Sequence, residues 1–150
     1  MKKLGTIILA GLLLTIGLVG CGNSSSSDKT TYIIGLDDTF APMGFKDENG
    51  EYTGFDIDLA RAVAAEMGIT FEFKSIDWNS ATLEFISKKI DLIWNGMSIT
   101  PERQEKLAIS KPYFQGNQTI YVTENSTLAK KADLEGKVIG IQLGSSAQVA

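Results

Sequence analysis

Two periods of apolar residues divide this chain into elements. Residues 32–36 are a short, β-rich apolar run that stops at Asp37-Asp38, which predicts a strand followed by a turn. Polar residues fill 46–51, where Asn49-Gly50 marks another turn. From Phe55 to Met67 the period changes: Ile57, Leu59, Ala60, Val63 and Ala64 recur at helical spacing, and Gly68 supplies a stop. Alternation returns over 69–73 and predicts a second strand. A second helix is expected over 81–89 with Leu83, Ile86 and Ile90 on one face, then a brief apolar strand over 91–94. Residues 118–123 and 137–142 predict two further strands around a polar, turn-rich stretch at 125–136, and Gly144-Ser145-Ser146 opens a last helix. Strands alternating with helices imply right-handed β-α-β units and a mostly parallel sheet, an α/β fold.

In such sheets ligands bind beyond the carboxyl ends of the strands. Three motifs fall there: residues 37–40, 95–103 and 144–146. The middle one, Asn95-Gly96-Met97-Ser98-Ile99-Thr100-Pro101-Glu102-Arg103, is the most informative. Thr100 suits a helix N-cap, and Pro101 suits the first helical position, where its missing N–H costs nothing. Arg103 then falls in the first turn, where the helix dipole disfavours a cation by roughly 0.3–1 kcal/mol. Two readings account for it. It is solvated or paired with Glu102 or Glu105, or it grips a bound carboxylate, which suits free N–H groups and a guanidinium fork alike. Ser98 offers a hydroxyl within a turn of Arg103, or serves only as a cap. Asp37 either closes an Asx turn or points into a cleft to meet an ammonium group. Phe40 and Trp78 lie in loops beside strand ends and suit ligand walls, whereas Trp94 within an apolar strand reads as core. Asp56 reads as a helix cap and Asp58 as a first-turn charge, not as a catalytic pair. Gly144-Ser145-Ser146 can cradle an anion on free N–H groups, a weak signal by itself.

Composition removes several function classes. Histidine is absent, so neither a Ser-His-Asp triad nor a His-based metal site exists here. No metal or cofactor is expected. The formal net charge of −4 comes from mixed signs without a basic patch, which argues against nucleic acid. Lys2 and Lys3 precede an apolar run over 4–19, too short and too directly followed by polar sequence for a membrane span. That run ends in Leu18-Val19-Gly20-Cys21, which resembles the lipobox of bacterial lipoproteins. The resemblance implies a signal peptide over 1–20, cleavage before Cys21 and a lipid on its sulfur. Residues 21–31 are then a flexible tether, and the globular part stands outside the cytoplasm at a membrane surface. Cys21 is the single cysteine, so no intrachain disulfide is available.

Six signatures together resemble the solute-binding proteins of amino-acid ABC transporters, the polar amino-acid family (extracellular solute-binding proteins, family 3). They are the lipobox, Gly35-Leu36-Asp37-Asp38-Thr39-Phe40-Ala41-Pro42, Gly54-Phe55-Asp56-Ile57-Asp58-Leu59-Ala60, Lys89-Ile90-Asp91-Leu92, the 95–103 motif, and Leu134-Glu135-Gly136-Lys137-Val138-Ile139-Gly140 with Gly144-Ser145-Ser146. The resemblance implies a two-lobed periplasmic-binding-protein type II fold, with a first lobe over 32–123 nearly complete and a second only begun over 124–150. It also implies ligand roles. Arg103 clamps the α-carboxylate, with Ser98 and Gly96 beside it. Asp37 helps to hold the α-ammonium, Phe40 and Trp78 form the walls, and Ser145 and Ser146 donate from the second lobe; Asn95 stays outside this set. The expected partners are a free amino acid and a membrane permease. Family members are much longer than this mature chain, so it is expected to be a fragment that binds weakly or not at all by itself. Sensor domains, dehydratases and lytic transglycosylases share the fold and are the competing functions.

Overall fold

A computed structural model describes residues 29–149; the expected signal peptide over 1–20, Cys21 and all but the end of the expected tether over 21–31 lie outside the described residues. The central strand is β1 (Thr31–Leu36), whose last three residues are buried, as expected of a strand covered on both faces. It pairs in parallel with β5 (Thr70–Ser75) from Thr31 opposite Thr70 to Leu36 opposite Ser75. On its other edge it pairs in parallel with β6 (Leu92–Ile93), giving the order β5-β1-β6. Helix α1 (Phe55–Met67) links β1 to β5 across the sheet, and α2 (Ala81–Ile86) links β5 to β6. The buried apolar residues are Ile34 and Leu36 of β1, Ile57 and Ala60 of α1, Ala81 of α2, and Ile90 just before β6. The α1 bounds match the apolar period, and Gly68 closes the helix in the left-handed conformation.

Between β1 and α1 the chain makes a small antiparallel sheet of β2 (Thr39–Phe40), β3 (Gly44–Lys46) and β4 (Tyr52–Thr53). Its strands are too short to carry a period, so only the Asn49-Gly50 turn between β3 and β4 was legible. A polar cluster ties it to the main sheet: the Tyr52 hydroxyl meets Ser75 Oγ at 2.7 Å, and Lys46 pairs with Asp38 at 3.0 Å.

Three expectations are corrected. Helix α2 ends at Ile86, and Lys88 turns the chain with φ of 60°, so Ile90 leaves the helical face. Ile90 is buried, but Leu83 and Ile86 are exposed. Residues 118–123 and 137–142 form no strands; no ladder partner faces them among the described residues, and Ile120, Tyr121, Val138 and Ile141 stay exposed. The last predicted helix is a short 3-10 turn, Ser146–Val149. No helix among the described residues is long and apolar enough to cross a membrane.

Candidate functional site

Beyond the carboxyl ends of β1 and β6 lies a cleft of about 1020 Å³. Asp37, Phe40, Trp78, Gly96, Ser98, Arg103, Ser145 and Ser146 all line it, so the three strand-end motifs and the loop carrying Trp78 converge on one space. The parallel register explains half of this. β1 and β6 run side by side and deliver Asp37 and Asn95 to the same edge. The Asn95 side chain, buried, accepts a hydrogen bond from the Asp37 amide at 3.1 Å and locks the two ends together.

Arg103 stands at the third position of α3 (Pro101–Lys106). The Thr100 hydroxyl caps this helix by accepting from the Arg103 amide at 3.3 Å. The guanidinium donates to the Ser98 carbonyl at 2.8 Å and to the Gly144 carbonyl at 2.9 Å. Its Cζ lies 5.9 Å from the centroid of the Trp78 ring. Glu102 pairs with Lys106 at 2.7 Å, and the guanidinium bonds to the Ser98 and Gly144 carbonyls and to neither Glu102 nor Glu105. Burial pulls the Arg103 pKa below its ordinary value while Glu102 pushes it back, and a guanidinium stays charged under either influence.

Asp37 closes its Asx turn and also turns one oxygen into the cleft, where it meets a side-chain amide. One oxygen closes an Asx turn by accepting from the Thr39 amide at 3.0 Å and the Thr39 hydroxyl at 2.6 Å. The other faces the cleft and accepts from the Gln142 side chain at 2.6 Å. Across the same space the Ser146 hydroxyl donates to Ser98 Oγ at 2.9 Å and accepts from Gln118 at 2.8 Å. Phe40, half-exposed, flanks the Gly96 backbone. Gly96 has φ of 58°, and a Cβ there would come within 3.0 Å of Phe40 Cε1. A side chain at this position meets both backbone strain and the aromatic wall.

Gln118 and Gln142 line the cleft without having been singled out. Gln142 ends a predicted strand, and the strand-end rule applied to 137–142 would have found it. Asp56 is a correction. The helix N-cap is Gly54, without a side-chain bond, because the Phe55 and Asp56 amides donate to the carbonyls of Pro42 and Met43 at 2.9 and 2.8 Å. Freed from capping, the Asp56 carboxylate turns inward and accepts from the Gly96 amide at 2.6 Å and from the Tyr113 hydroxyl at 2.8 Å. Trp94, read as core, is only partly buried and packs edge-on against Phe71 with ring centroids 6.2 Å apart. Among the described residues no group of three or more acidic or cysteine side chains is placed to hold a metal ion.

The sequence profile of the bacterial extracellular solute-binding proteins, family 3, matches residues 32–139. The chain is 36% identical over 148 residues to the arginine-binding extracellular protein ArtP of Bacillus subtilis, covering 97% of this chain and 57% of that protein. It thus spans little more than half the length of the curated relatives it matches. Among solved structures, an ABC uptake transporter substrate-binding protein from Streptococcus pneumoniae with bound histidine superposes with a TM-score of 0.52. The two are 52% identical over 53% of this chain and 32% of that one. An ancestral cyclohexadienyl dehydratase superposes with a TM-score of 0.54 at 35% identity, over 57% of this chain and 35% of that one. The fold shared with such neighbours is part of a periplasmic-binding-protein type II domain.

Proposed function

The chain belongs to the bacterial extracellular solute-binding proteins, family 3, and from that premise we propose that it captures a polar amino acid for an ABC permease. The observation that carries this reading is the convergence of one arginine, one cleft-facing carboxylate and two aromatic walls on a single space. A zwitterion entering a cleft must find partners for both charges, since an unpaired buried charge costs several kcal/mol. Arg103 donates to two neutral carbonyls, and a ligand carboxylate that replaced them would make stronger, charge-assisted bonds. The cleft-facing oxygen of Asp37 can exchange the neutral Gln142 amide for an ammonium on the same principle. Ser98, Ser145, Ser146 and the Gly96 backbone complete the polar lining, and Phe40 and Trp78 accept an apolar stem or a guanidinium. The site works by exchange: groups already paired across the cleft trade weak internal bonds for stronger bonds to ligand.

In this reading residues 32–123 form the first lobe and 124–150 begin the second. Residues 1–20 direct export, and lipid on Cys21 holds the protein at the outer face of the membrane. The protein binds and releases its ligand without transforming it. The dehydratase among the structural neighbours supplies the second reading, and the lining itself argues against it. Asp37 is the one carboxylate of that lining, set among Arg103, Lys130, Lys131 and Lys137 without a histidine, a set that suits holding charged groups more than the paired carboxylates of acid-base work. A thermal-shift panel of the amino acids on the full-length protein tests the proposal. A ligand at one hundred times its dissociation constant stabilises by about 2.7 kcal/mol, a shift of several degrees. No shift with any amino acid, or formation of a product from a cyclohexadienyl acid, would overturn it.

A further inference from the structure

We propose that Asp56 is a positioning residue that holds the Asn95–Gly96 peptide at the floor of the cleft, an inference that rests on the amino-acid-binding reading above. Among the described residues two polar side chains are buried, Asp56 and Asn95, and both act on this one peptide. Asn95 ties it to the end of β1 through the Asp37 amide. Asp56 ties it to the start of α1 through the Gly96 amide, at 2.6 Å. A buried carboxylate is costly unless it is well bonded, and neither capping nor ion pairing accounts for this one. Its two oxygens are occupied by the Gly96 N–H and the Tyr113 O–H.

The direction of these bonds gives Asp56 its role. A carboxylate accepts from an amide more strongly than a neutral oxygen does, so Gly96 is held firmly in its left-handed conformation beneath Phe40. Ser98, which offers its carbonyl to Arg103 and its hydroxyl to Ser146, follows two residues later on the same loop. The Tyr113 phenol remains a donor, because burial and the adjacent carboxylate push its pKa well above the ordinary range. Tyr113 also lies on the stretch that leads to Gln118 in the opposite wall. Asp56 therefore joins the loop after β6 to the chain segment that crosses the cleft. A site displaced by about 1 Å through a loose support loses much of its affinity.

The test measures the dissociation constant of the amino acid selected by the thermal-shift panel, by calorimetry well below the melting temperature, together with the Gly96 amide-proton shift by NMR. In Asp56→Ala the affinity should fall by about tenfold or more, with the chain still folded by circular dichroism. Asp56→Asn keeps an oxygen for the Gly96 amide and a nitrogen for the Tyr113 hydroxyl, and should recover affinity to within about threefold. Its Gly96 amide proton should move upfield, as the acceptor is weaker. A role in stability alone would lower the melting temperature and leave the dissociation constant of the folded protein unchanged. Binding by folded Asp56→Ala within about twofold of the parent would overturn the proposal. Should that variant fail to fold, Asp56→Asn decides: an unmoved Gly96 resonance overturns the inference and an upfield shift supports it. Should the parent itself bind no amino acid, the functional reading fails, and the same resonance still decides whether Asp56 holds Gly96.

Discussion

Arg103 occupies the third position of α3, where a cation opposes the helix dipole, and its guanidinium points across the cleft to the Gly144 carbonyl. The dipole penalty is small, roughly 0.3–1 kcal/mol, and two hydrogen bonds to backbone oxygens offset it. What those oxygens cannot supply is a countercharge, and a ligand carboxylate can. Arg103→Ala in the full-length protein should therefore abolish measurable amino-acid binding. Calorimetry showing affinity within about threefold of the parent would refute the clamp. The sequence placed this arginine by its cap and its proline, but the choice between solvated cation and cleft cation was open. Trp78, Ser98 and Gly144 come from three separate stretches of chain, and no local signal announces their meeting at one guanidinium.

The short helix α3 depends on its ends more than on its middle, for its six residues bury no side chain fully. Thr100 accepts from the Arg103 amide, so the cap that starts the helix also aims the arginine. Thr100→Ala should cost about 1 kcal/mol of stability, read as a lower urea midpoint, and should weaken ligand binding as well. Unchanged affinity with reduced stability would mean that the cap supports the helix without orienting Arg103. Elements with a local cause were readable in advance. α1 shows this best, since an apolar stripe from Ile57 to Ala64 and a terminal Gly68 depend on nothing distant. Elements that need a partner were not. The stretches 118–123 and 137–142 carry β-forming residues, but a strand exists only where another strand accepts its hydrogen bonds. Asp56 failed for the same reason in reverse: the carbonyls of Pro42 and Met43 took over the capping, a substitution invisible without the fold.

Across the whole molecule the carboxylates divide into two groups with opposite responses to acid. The Ser75 hydroxyl and then Lys46 hold Asp38 below its ordinary pKa, Lys29 does so for Asp91, and Lys74 with Lys89 does so for Glu84. The stability these groups contribute is present above their ordinary values of 3.8 to 4.5 and is lost as pH falls through the lower folded values. Asp56 runs the other way. Burial raises its pKa above 3.8, so the folded state takes up a proton before the unfolded chain does, and stability rises as pH falls from the raised value to 3.8. Urea midpoints followed from neutral pH to pH about 3 should show this gain above the acid fall. Asp56→Asn should lose the gain and keep the fall, and superimposable profiles would show that Asp56 does not titrate as its burial requires. The sequence by itself determined the parallel α/β order, the bounds of α1, the cap on α3 and the polar and aromatic residue types at the strand ends, because periodicity, capping and charge act over a few neighbouring residues. Only the tertiary structure decided that Asp56 supports Gly96, that Gln142 meets Asp37 and that Arg103 reaches Gly144. Those pairings join positions 40 to 105 residues apart, and only the folded chain brings them within hydrogen-bonding distance.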